Sequence, residues 1–110
     1  MTAKPVVPRA KARKDAELAV DHYLNEATPD VAIDFVDALE QAYAFIATNP
    51  AAGSPPWSHE LNLPGLRAIR LKGFPWRVFY LECETHVDAW RVLHAKRDLP
   101  AWMDDTDESD

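Results

Sequence analysis

The stretch RVLHAKRDLPAWM, residues 91–103, crowds two arginines, a histidine, a lysine and an aspartate ahead of a Pro and a Trp. Upstream, Arg67, Arg70, Arg77 and Tyr80 add cations and a phenol that a sheet could bring to the same place. A metal-free RNA-cleaving site needs a base for the 2′-hydroxyl, a cation for the phosphorane and an acid for the leaving oxygen. His94 and Tyr80 could move the protons, with Arg91 and Arg97 holding the charge. The competing account is structural. Arg91 and Arg97 pair with Asp88 and Asp98 and tie the last strand to its turn. Charged pairs often order a chain end, so this second account is favoured. Neighbours on a strand point to opposite faces, so Arg97 and Asp98 are not assumed to pair with each other.

Other chemistry is poorly supplied. His22, His59, His86 and His94 are scattered, with no second His or Cys at ligand spacing, so neither a metal nor another cofactor is expected. Three glycines form no phosphate-cradling loop. Ser54 and Ser58 sit in a Pro-rich loop with no helix start beside them. Cys83 falls on a strand pattern and reads as a buried, inert thiol. Trp102 is either a lid on the core or an anchor for a partner.

The elements that must position these groups follow from periodicity. KPVV (4–7) reads as a short first strand, confined by Pro5 to an edge or a strand start. Pro8 can open a helix running from Arg9 to about Glu26. Its apolar stripe is Ala12, Ala16, Ala19, Val20, Tyr23 and Leu24. Thr28-Pro29-Asp30 is a second helix start, with Thr as cap, Pro in the first turn and an acid facing the dipole. Ala32, Phe35, Val36, Leu39, Ala42, Tyr43 and Ile46 make its stripe, and Asn49-Pro50 stops it. The tight connection implies a helical hairpin. Residues 51–63 read as a loop. LRAIRLK (66–72), WRVFYLEC (76–83) and VDAWRVLH (87–94) then read as three strands with short connections, hence antiparallel neighbours. One sheet face is expected on the helices, and the other concave, polar and partly open.

The chain has 110 residues, 47% of them hydrophobic and 27% charged, which fits one soluble domain with a modest core. The one cysteine leaves no disulfide within the chain. With no signal-like or membrane-spanning run, a cytoplasmic location is expected. The net charge of −6 is uneven. The final run DDTDESD (104–110) holds five acids and no base, leaving twelve basic and thirteen acidic residues before it. That run is expected to be a disordered tail on a single domain spanning 1–103. A body this close to neutral is poorly matched to phosphate-driven binding, so direct sequence-specific nucleic-acid binding is not expected.

Taken together, PRAKARKDAEL, FVDALEQAYAFIATNP, the loop glycine of PAAGSP, GLRAIRLKGFPWRVFY and the closing RVLHAKRDLPAWM resemble the ParE branch of the RelE/ParE superfamily. The resemblance spans about Val6 to Met103 and implies an α+β fold of order β-α-α-β-β-β. It further implies the toxin of a type II toxin–antitoxin pair, neutralised by a ParD-like ribbon-helix-helix antitoxin and directed at DNA gyrase. In that setting Arg91, His94, Lys96, Arg97 and Trp102 are the expected target contacts. Tyr23, Phe35, Tyr43 and Trp76 are the expected antitoxin contacts. Contact rather than catalysis is favoured. A ribosome-dependent mRNA endonuclease of RelE type, using Arg91, His94, Arg97 and Tyr80, is the alternative. A non-toxic module that only binds antitoxin is a third.

Overall fold

A computed structural model describes residues 3–53 and 65–95. It contains β1 (Val6–Pro8), α1 (Ala10–Glu26), α2 (Pro29–Thr48), β2 (Leu66–Arg70), β3 (Trp76–Glu82) and β4 (Val87–His94). The α+β order expected from the sequence is the order observed. The first strand lies a little later than the pattern suggested and contains Pro8, so the helix opens after Arg9 instead of at the proline. Thr28 caps α2 as expected, its hydroxyl accepting from the Val31 N–H at 3.3 Å. At the other end the Asn49 N–H closes on Phe45 and Ile46 carbonyls, which satisfies acceptors the helix would otherwise leave open.

The strands form one sheet in the order β1-β4-β3-β2. Strands β2, β3 and β4 are antiparallel neighbours, and β1 adds to them parallel to β4, with Val6 opposite Val87. The hairpin α1–α2 covers one face. Ala12 and Ala19 of α1 and Phe35, Leu39, Ala42 and Ile46 of α2 bury against Trp76, Val78, Tyr80, Val87, Ala89 and Val92. Small alanines on α1 let it approach the sheet closely. None of the described helices is long and apolar enough to cross a membrane.

The far face differs from the polar, open surface that alternation suggested. Leu66, Ala68, Phe79 and Leu93 form a second apolar cluster there, with Leu81 and Trp90 packed against it. Leu66, Ala68, Phe79 and Leu81 face it by plain alternation, and a β-bulge brings Leu93 to join them. Phe79 stands opposite Arg91 while Tyr80 stands opposite Ala89, so Trp90 is an extra residue in β4. One extra residue reverses the facing of everything after it. Val92 therefore joins the helix side, and Leu93 turns to the far side.

A second device fixes where the chain leaves α2. The buried Gly53 N–H donates to the Tyr80 hydroxyl at 2.9 Å, and Arg67 Nη1 donates to the Gly53 carbonyl at 2.8 Å. A Cβ at Gly53 would overlap the phenol of Tyr80. This gives the loop glycine a steric reason. Gly53→Ala is expected to cost about 1–3 kcal/mol through overpacking. The loss should be smaller in a Tyr80→Phe background, where the nearest clashing atom is gone. Urea midpoints of the four proteins in that cycle test it; an additive result would remove the contact as the cause.

Candidate functional site

The closing strand is where sequence chemistry and fold meet. Strand β1 pairs with β4 only as far as Ala89, and then turns through Arg9 into α1. The Arg9 N–H still reaches the Ala89 carbonyl at 3.0 Å, and its guanidinium grips Asp88. Beyond that point no strand among the described residues lies beside the outer edge of β4. Helix α1 takes its place. Asp15 Oδ2 accepts from the Val92 N–H at 3.0 Å and from Arg91 Nε at 2.7 Å, while Oδ1 accepts from Arg91 Nη2 at 2.8 Å. A planar guanidinium fork facing a carboxylate in this way is the strong form of the ion pair. The side chain of Asp15 is only 12% exposed and that of Arg91 32%, so water screens the pair weakly.

This corrects the expected pairing. Arg91 binds Asp15 on the first helix, not Asp88, which belongs to Arg9. Sequence reading had not singled out Asp15, yet a signal was present. It lies three residues after Ala12 and four before Ala19, on the buried stripe of α1, where a carboxylate needs a partner.

Around this clamp is a cleft of about 470 Å³ lined by Asp15, Leu18, Ala19, His22, Trp76, Arg91 and Leu93. His94 stands opposite Trp76 and meets its ring edge-on, with centroids 5.3 Å apart. The Trp76 indole N–H donates to the Tyr23 hydroxyl at 2.9 Å. The other proton-transfer candidate is elsewhere. Tyr80 is buried, four strand positions from Trp76, which is about 13 Å along the sheet. Its hydroxyl is bonded to Gly53, and burial holds the phenol above its ordinary range. His94 and Tyr80 are therefore not brought together. Lys96, Arg97 and Trp102, like Asp98 and the run 104–110, lie outside the described residues.

Of the four aromatics expected at an antitoxin contact, Phe35 and Trp76 are buried in the core. Tyr23 is half-buried between Phe35 and Phe74. Tyr43 is half-buried over α1, and burial, with a further push from Asp15, raises its phenol to about 12. The exposed apolar side chains of the hairpin are Leu18, Leu24, Ile33, Val36 and Phe45. Val20, Leu24, Ile33 and Val36 line a groove between the helices that continues past Leu39 to Tyr43. Glu17, Asp21, Asp37 and Glu40 line the same groove and give it an acidic rim. Among the described residues no group of three His, Cys, Asp or Glu side chains converges as a metal site would require.

The family profile for the ParE toxin of the type II toxin–antitoxin system, parDE, matches residues 6–99. Among solved structures, a chain of the chromosomal ParDE toxin–antitoxin system from P. aeruginosa is similar, with a TM-score of 0.71 and 20% sequence identity. The alignment covers 86% of this chain and 98% of that one, and at this identity the likeness is one of fold. No curated protein matches the sequence.

Two outcomes follow from the geometry. Asp15→Ala should destabilise the protein by about 2–4 kcal/mol, because it strands both the Arg91 charge and the Val92 N–H. Asp15→Asn, which keeps an acceptor for the amide, should lose less. Chemical denaturation measures both, and unchanged amide exchange at Val92 in the alanine variant would contradict the assignment. Separately, an unfolded tyrosine ionises near 10.0 whereas Tyr43 in the folded protein holds its proton to about 12. The unfolded chain then releases that proton first, so stability is full below pH 10 and falls as pH rises toward 12. Tyr43→Phe should flatten this part of the stability curve.

Proposed function

The chain belongs to the ParE toxin family of type II toxin–antitoxin systems, and on that footing we propose that it acts by contact and not by catalysis. In this reading it binds DNA gyrase and stabilises the enzyme's cleavage complex with DNA. A ParD-like ribbon-helix-helix antitoxin neutralises it. The supporting observation is how the candidate proton carriers are committed. The Tyr80 hydroxyl is bonded to Gly53, and Tyr80 lies about 13 Å along the sheet from the His94 end. Arg91 is bound in both forks to Asp15. A phosphodiester placed at His94 would find the Tyr80 phenol out of reach of its leaving oxygen.

Target contacts are assigned to the closing segment: His94 at the end of β4, then Lys96, Arg97 and Trp102. Arg91 contributes by holding β4 to α1 and by the part of its side chain left exposed. The antitoxin is assigned to the groove between α1 and α2. Ile33 is 58% and Leu24 48% exposed there, which is costly for an apolar surface that never meets a partner. The acidic rim favours an antitoxin helix with an apolar face and basic flanks.

Expression without antitoxin separates the readings. Gyrase-linked DNA breaks with intact mRNA are expected. Cleaved mRNA with unbroken DNA would replace this function with the endonuclease, and normal growth with neither lesion would leave only antitoxin binding. Ile33→Asp should weaken antitoxin affinity by about tenfold or more, because it buries a charge in an apolar contact, while leaving toxicity in place.

A further inference from the structure

The far face of the sheet carries a feature that neither the core nor the closing strand uses. Arg70 of β2 and Arg77 of β3 stand directly opposite each other in the antiparallel ladder. Both project away from the helices, since their neighbours Ile69 and Val78 pack on the helix side. Opposed residues place their Cβ atoms about 5 Å apart, and like charges at that spacing destabilise a strand pair. The sheet's other arginines are engaged: Arg67 on the Gly53 carbonyl and Arg91 on Asp15. Arg70 and Arg77 make no hydrogen bond or ion pair among the described residues. Arg70 is exposed, on the outermost strand of the sheet. Two guanidinium forks side by side form a receptor for oxyanions, and an anion between them cancels the repulsion.

We propose that Arg70 and Arg77 form a clamp for the carboxylates of an acidic peptide segment of a partner protein. Leu93, across from Arg77 in β4, and Ala68, before Arg70 on the same face, are buried, so what the clamp offers a partner is charge. That suits a peptide rich in Asp or Glu, whose carboxylates each guanidinium fork can hold. A nucleic-acid backbone is a poorer match, because it demands many neutralising cations and this face offers two in a body whose charge is close to balanced. The site is separate from the acidic groove between the helices, and its occupant has the opposite charge. The inference does not depend on the identity of the toxin's target.

Titration of the full chain with a short fluorescent Glu-rich peptide, read by anisotropy, tests the clamp. Binding is expected, with the Arg70→Ala/Arg77→Ala double variant weaker by about tenfold or more. Arg77→Lys, which keeps the charge but loses the fork, should fall between. Arg70→Glu should abolish binding while raising Tm by a few degrees, because it turns a repulsive pair into an attractive one. That variant guards against mistaking misfolding for lost affinity. Unchanged peptide affinity in the double variant would overturn the proposal. So would a single-stranded oligonucleotide that binds more tightly than the peptide and depends on the same two arginines. A third overturning result is a tenfold gain in peptide affinity on removing residues 104–110, which would make the chain's own acidic run the occupant.

Discussion

The architecture depends on how the outer edge of β4 is closed. Strand β1 is three residues long and leaves the sheet at Pro8, while β4 continues to His94. An edge with unpaired N–H groups invites wrong partners and costs stability. Here a helix closes it through one carboxylate. Asp15 replaces a missing strand residue at Val92 and holds the neighbouring arginine with its second oxygen. This bond sets the distance between α1 and β4. It therefore shapes the cleft that Trp76 and His22 line.

The second organising fact is the distribution of charge. The outward side of the hairpin carries Glu17, Asp21, Asp34, Asp37 and Glu40, whereas the opposite side of the sheet carries Arg70 and Arg77. The near-balance of charge over residues 1–103 thus conceals two surfaces of opposite sign. Net charge argues about approach to a long polyanion, but contact with a protein partner depends on the local field.

The helices were legible because their signals are local. Thr28-Pro29 carries the cap chemistry, and the stripe through Phe35, Leu39, Ala42 and Ile46 is periodic over about three turns. The three later strands were legible from alternation and turn residues. Two things were not. The bulge at Trp90 shifts the facing of Val92 and Leu93, and no local pattern announces which residue is extra. The partner of Arg91 lies 76 positions away, and sequence offered the nearer Asp88. Charge pairing is short-ranged in space and indifferent to separation along the chain. Proximity in sequence is therefore a poor guide to it, whereas the inward position of Asp15 was the better clue.

The parallel pairing of β1 with β4 has a consequence for how the molecule comes into being. Residues near 6 and residues near 87 must meet before the sheet is whole, and Asp15 gains its partner only when the last strand is present. Contacts of such high sequence separation form late, because loop closure must precede them. During synthesis the helical hairpin can assemble early from local contacts, but the clamp waits until β4 has left the ribosome. A chain without β4 therefore lacks both the finished sheet and the Asp15–Arg91 clamp. The fold itself delays its competence until the strand that completes the sheet has been made.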